Sequence, residues 1–249
     1  CAIGSDQQAY CRGGVSRGAL GSGSSVIETT PVAVSKSGVL AGKSILDIDT
    51  GHNFTCAVGS DHQAYCWGEN SSGQLGSNST GTHSILPVAV NTSGVLAGKP
   101  ILGITTGHSH ACAVASDNQV YCWGQNSSGL LGNNSVSDSR SPVAVSTSGA
   151  LAGKSILSIS AGPQHTCAIA SDRQVYCWGR NNLNQLGNNS TTTSRVPVAV
   201  DTSGVLAGKA ILNISVGSDH TCALASDGQV YCWGRNRLGQ VGNESTTSS

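Results

Sequence analysis

The stretch HTCAIASDRQVYCWGRN (165–181) returns almost unchanged as HTCALASDGQVYCWGRN (220–236). Related blocks begin at His110 and Phe54, and a shortened one at Cys1. The first Cys of each block falls at 1, 56, 112, 167 and 222, so the steps are 55, 56, 55 and 55 residues. A second block, PVAV followed by a GVLAGK-type run, recurs at Pro31, Pro87, Pro142 and Pro197. Self-similarity at a fixed period marks an array of structural units. The PVAV frames divide the chain into a degenerate leading half-repeat, 1–30, and four repeats, 31–86, 87–141, 142–196 and 197–249. Together they form one repeat domain.

Each repeat reads as strands. PVAV is short, apolar and opened by Pro, which suits a strand start or a sheet edge. ILSIS (156–160) alternates large apolar with small polar residues, the strand period. TCAIA (166–170) and QVYCWG (174–179) flank a Ser-Asp turn, a hairpin signal. The Gly/Asn/Ser-rich loop that follows is turn chemistry. Tyr176 and Trp178 point to one side of the hairpin, and Val175, Cys177 and Gly179 to the other. Both sides are apolar or small, so both need cover. Sheet stacked on sheet supplies it. The expected fold is all-β, a β-propeller-type array of four-stranded blades, with 4.5 repeats present and the ring incomplete in this chain alone.

The ten Cys form five pairs of one spacing: Cys1 with Cys11, Cys56 with Cys66, Cys112 with Cys122, Cys167 with Cys177, and Cys222 with Cys232. Each pair is symmetric about its hairpin turn, so the two Cys oppose one another, with Cα atoms expected about 4.5–5.5 Å apart. Disulfide geometry accepts that spacing. Metal binding is the weaker alternative, because a hairpin supplies only two thiolates and no C-x-x-C is present. Closing an 11-residue loop contributes about 2.5–3 kcal/mol in the chain-entropy model. Disulfides need an oxidising compartment, so the chain is expected outside the cell or on its surface.

Charged residues are only 10% of the chain, and Lys plus Arg, 13, balances Asp plus Glu, 13. Such a surface offers no field to attract nucleic acid or anionic lipid. No apolar window is long enough to span a membrane as a helix. The chain starts at Cys1 and contains no Met, so it reads as a mature, processed or partial chain.

The segments GSDHTCAL (217–224), SDGQVYCWGRN (226–236) and GQLG (73–76) resemble the regulator-of-chromosome-condensation repeat. The resemblance covers nearly the whole chain. It implies four-stranded blades around an axis, usually seven to a closed ring. The Cys pairs resemble a secreted, largely bacterial branch of that family. The nuclear exchange-factor role of the family's founder does not follow from the fold. A secreted relative that inhibits β-lactamases implies that the fold can act as a binding surface alone. The leading half-repeat departs from the pattern: Arg12 stands where the others have Trp67, Trp123, Trp178 and Trp233.

Several residue types recur once per repeat. His110, His165 and His220 invite a metal or acid/base role, but equivalent positions in successive blades lie about 10 Å apart. A single ion does not bridge that distance, and Phe54 fills the same slot. A structural His bonded to a neighbouring backbone is the expectation. Asp61, Asp117, Asp172 and Asp227, with Asp6, suit local turn bonding. The four Trp read as inter-blade packing, with a glycan platform as the alternative. Lys43, Lys99, Lys154 and Lys209 read as solvated loop residues, or as a ring of charge at one rim. N-x-S/T sequons at Asn53, Asn70, Asn78, Asn91, Asn126, Asn133, Asn188, Asn189, Asn213 and Asn243 are candidate glycosylation sites. Asn70 recurs as Asn126, and Asn78 as Asn133, Asn188 and Asn243. Turn composition alone also generates such sequons.

No hydrolase, P-loop or dinucleotide motif is present, so no enzyme, cofactor or catalytic residue is expected. The expected function is a non-enzymatic structural or interaction scaffold, partnered by copies of itself or by further repeats in a head-to-tail fibre or surface layer. The alternative is a secreted propeller that binds an extracellular protein or glycan, inhibitor-like or lectin-like. Neither nucleic acid nor a membrane span is expected.

Overall fold

A computed structural model of the chain describes residues 1–14 and 16–247. Among these residues the structure is built of strands, with three short 3-10 turns at Ser16–Gly18, Gly38–Leu40 and Gly149–Leu151. Two compact units are present, one formed by 1–126 with 137–144, the other by 127–136 with the chain from Val145 onward.

The first unit holds three antiparallel sheets. The first sheet contains β1 (Ala2–Ile3), β2 (Ala9–Gly13) and β3 (Glu28–Ala33). The second contains β4 (Ile45–Thr50), β5 (Phe54–Gly59), β6 (Ala64–Glu69) and β7 (His83–Ala89). The third contains β8 (Ile101–Thr106), β9 (His110–Ala115), β10 (Val120–Gly124) and β11 (Ser139–Ala144). The second unit holds two sheets. These are β12 (Ile156–Ala161), β13 (His165–Ala170), β14 (Val175–Gly179) and β15 (Ser194–Ala199), then β16 (Ile211–Val216), β17 (His220–Ala225) and β18 (Val230–Gly234). Every sheet is a meander in chain order.

The sheets are cut one strand later than the PVAV frames. The PVAV segment is the last strand of a sheet: Val32 pairs with Cys11, Val88 with Cys66, Val143 with Cys122 and Val198 with Cys177. A periodic sequence can be cut anywhere, and hydrogen bonding chooses the cut. What reads as a leading half-repeat is therefore a three-stranded sheet that includes Pro31–Ala33.

The two-sided cover expected from the hairpin is present. β5, β9 and β13 are buried along their whole length, as are β10 and β14. Cysteines oppose one another across each hairpin, and all five pairs are joined. Their Cα atoms are 4.0–4.1 Å apart, closer than the expected range. That short spacing belongs to a pair whose backbones do not exchange hydrogen bonds.

The first strand of each full repeat departs from plain alternation. In β4, Ile45 pairs with Gly59 and Asp47 with Val58, so Leu46 is a bulge residue. The same shift recurs at Leu102, Leu157 and Leu212. An Ile-Leu-x-Ile run would send its two Ile to opposite faces under strict period two. The bulge lets both turn inward: Ile101 and Ile104, like Ile211 and Ile214, are buried. The Leu is left outside, 48% exposed at Leu46, 54% at Leu102, 47% at Leu157 and 52% at Leu212.

Candidate functional site

Four features of the polar side chains recur from repeat to repeat. In the hairpin turn, Asp61 Oδ1 accepts the Gln63 backbone N–H at 3.2 Å, and His62 between them has φ 57°. Asp117, Asp172 and Asp227 do the same for Gln119, Gln174 and Gln229. This is the expected turn role for Asp.

The second carboxylate oxygen has a partner that was not foreseen. Tyr65 donates its hydroxyl to Asp61 Oδ2 at 2.7 Å, and Tyr121, Tyr176 and Tyr231 repeat the bond. Lys43, Lys99, Lys154 and Lys209 lie 3.0–3.7 Å from the same oxygens and over the same rings. The Lys are thus paired within the sheet, rather than forming a free ring of charge. Burial pushes the Asp117 and Asp172 carboxyls up, but the bonds from Tyr and Lys outweigh it and hold both below the usual range. Burial and the neighbouring carboxylate raise Tyr65 and Tyr176. The sequence signal was present, since Lys, Asp and Tyr share one period.

The four Trp each donate their indole N–H to a loop carbonyl. Trp67 Nε1 donates to the Ala19 carbonyl at 3.0 Å and Trp123 Nε1 to Gln74 at 3.0 Å. In the second unit, Trp178 reaches Leu130 at 2.8 Å and Trp233 reaches Gln185 at 3.0 Å. Each acceptor belongs to the loop that follows the previous hairpin. A glycine two residues beyond each acceptor has φ near 65°, and an added Cβ would stand 2.6–2.9 Å from the indole. Both the backbone conformation and the close approach exclude a side chain there.

Asn70 organises its loop, donating to the Gly81 carbonyl at 2.8 Å and accepting the Leu75 N–H at 3.1 Å. Asn181 and Asn236 make the equivalent bonds, to the Thr192 and Thr247 carbonyls and from the Leu186 and Val241 N–H groups. Asn70 and Asn126 are buried with their amide nitrogens donating inward. Neither candidate acceptor presents its amide to solvent in the folded chain. The register is corrected. The left-handed residues Asn78, Asn134, Asn189 and Glu244 are equivalent, so Asn133, Asn188 and Asn243 sit one position earlier. Asn78, Asn189, Asn213 and Asn243 are exposed, whereas Asn53, Asn91, Asn133 and Asn188 are half-buried.

His110 and His165 are buried and His220 is half-buried. His165 Nε2 lies 2.7 Å from the Thr221 hydroxyl of the next sheet, a side-chain partner where a backbone one was expected. Burial, then the nearby His108, pushes His110 down to about 4. Sequence reasoning missed an exposed pair in the first unit: His52 and His108 stack with ring centroids 4.2 Å apart. Close by, Glu69 accepts from Asn53 at 3.2 Å and lies 3.6 Å from Arg17. In the second unit, a groove of about 280 Å³ runs past Tyr231 and Trp233 to Asn189, Asp201 and Val205. No group of three or more His, Cys, Asp or Glu among the described residues could hold a metal ion.

A family model described as the RCC1-like domain matches residues 1–249. The chain belongs to the RCC1-like domain family. Among curated relatives, this RCC1-like chain is 31% identical over 238 residues to the ultraviolet-B receptor UVR8 of Arabidopsis thaliana, covering 96% of the chain and 51% of that protein. It is 28% identical over 236 residues to the mouse E3 ubiquitin-protein ligase HERC2, covering 94% of the chain and 5% of that protein. The RCC1-like chain thus spans about half of one relative and a twentieth of the other, and their whole-protein activities remain theirs. Among solved structures, human WBSCR16 superposes with a TM-score of 0.79 at 20% identity, over 96% of this chain and 60% of that one. Prp20p of Saccharomyces cerevisiae gives 0.78 at 20% identity, over 100% and 58%. These likenesses establish the β-propeller type of fold for the RCC1-like chain.

Proposed function

We propose that this chain is an extracellular or cell-surface RCC1-like scaffold that binds a protein through its variable loops and does no chemistry of its own. The observation that carries the reading is the commitment of the recurrent polar side chains. Asp, Tyr, Lys, Asn and Trp hold turns, loops and seams. What differs between repeats is the loop after each GQLG-type turn, where SNSTGTHS (77–84) is replaced by NNSVSDSR (133–140) and NNSTTTSR (188–195). Loops on a rigid scaffold are where recognition concentrates. The structure of Prp20p is described together with its binding to Gsp1p and histones, which supports protein recognition by this fold. One disulfide per sheet, with no free Cys among the described residues, supports an oxidising location. No described helix is long and apolar enough to cross a membrane. The exposed sequons Asn78, Asn189, Asn213 and Asn243 are the acceptors for N-glycans if the host glycosylates secreted chains.

Head-to-tail assembly is the second reading, favoured by the near identity of the repeats. One residue opposes it. A neighbouring copy's loop at Gln240–Gly242 would meet the exposed Arg12 in the first sheet where the other sheets offer Trp. A guanidinium there leaves the loop without its indole cover. Electron microscopy of native material separates the readings. Discrete particles are expected from a binding scaffold, and regular filaments would overturn it in favour of assembly.

A further inference from the structure

Every Cys-bearing hairpin after the first opens on a recurrent pair of residues. The first is Phe54, His110, His165 or His220, and the second is Thr55, Ala111, Thr166 or Thr221. At His165 the first member faces the sheet that follows. In the second unit, His165 Nε2 lies 2.7 Å from Thr221 Oγ1. The Thr221 hydroxyl donates its single proton to the Gln185 carbonyl at 2.9 Å, so His165 must donate from Nε2. In the first unit the corresponding seam holds Phe54 and Ala111, both buried in one apolar cluster with Trp123. His meets Thr, and Phe shares its apolar cluster with Ala. In sequence, His110 is likewise followed one repeat later by Thr166.

We propose that these two positions form a matching rule that decides which repeat packs beside which. A His facing Ala loses the acceptor for its buried N–H, and a Phe facing Thr is crowded by the larger side chain. Repeats as alike as these otherwise have little to prevent mispairing during folding or between chains. The rule therefore makes a binding specificity out of a buried pair: a His-bearing face accepts a Thr-bearing repeat, and a Phe-bearing face an Ala-bearing one.

A double-mutant cycle tests it. Phe54→His and Ala111→Thr are made singly and together in the full chain, and denaturant unfolding is followed by Trp fluorescence. Each single change is expected to raise the unfolding constant about tenfold or more, and the double variant to recover at least fivefold of the summed loss. Losses that simply add would overturn the rule. If a single variant fails to fold, Thr221→Ser and Thr221→Val decide. The hydroxyl-bearing variant is expected to stay near the parent, and the Val variant to weaken and to shift the His165 ring-nitrogen NMR signals. Equal effects of Ser and Val, with unshifted His165 signals, would overturn it.

Discussion

At Asp172 one side chain closes the hairpin turn, accepts the Tyr176 hydroxyl and meets Lys154. Its carboxyl is held below the ordinary range although burial works the other way. A depressed carboxylate stabilises the fold above its unfolded pKa, and that contribution fades as pH falls through the folded value. Asp172→Asn keeps the turn bond but loses the charge. About 1 kcal/mol of stability is expected to go, after allowance for solvent screening of a group about a third exposed, measurable by urea titration at pH 7. His110 has the same sign for a different reason. Buried and lowered to about 4, it opposes protonation, whereas the unfolded imidazole takes up a proton near 6.5. Stability is full above pH 6.5 and falls between about 6.5 and 4. His110→Gln is expected to flatten that part of the pH profile, and an unchanged slope would count against a buried neutral imidazole.

At the scale of strands and loops, the sequence was most readable where chemistry is local. The Ser-Asp turn, the opposed Cys and the once-per-repeat Trp were all legible. The position of the sheet cut was not, because PVAV carries no mark saying which neighbour it pairs with. The Leu46 bulge was also hidden, since Ile-Leu-x-Ile fits alternation well enough until both Ile must be buried. The Lys–Asp–Tyr cluster escaped notice because its members lie 18 and 4 residues apart and meet only when the first strand folds beside the hairpin. Two changes test the seams. Trp178→Phe removes the donor to the Leu130 carbonyl and is expected to destabilise by about 1–3 kcal/mol in denaturant. Gly132→Ala places a methyl about 3 Å from the Trp178 indole at a positive φ, and is expected to lower stability by a similar amount.

For the whole chain, the repeats were enough to give an all-β array. The family match and the structural likenesses agree with the fold. The binding partner was not legible, because recognition by a scaffold lies in loop shape and not in a residue motif. Stability is then shared among small sheets and the five bonds that clip their hairpins. Replacing both Cys167 and Cys177 by Ala is expected to cost about 2.5–3 kcal/mol, read as a shift in the denaturant midpoint. The most direct measurement is peptide mapping of native, unreduced protein after alkylation of any free thiol. The expected map joins Cys1 to Cys11, Cys56 to Cys66, Cys112 to Cys122, Cys167 to Cys177 and Cys222 to Cys232, with no alkylated Cys. Alkylated thiols in native material, or bonds that join one sheet to another, would contradict both the hairpin clips and the extracellular scaffold built on them.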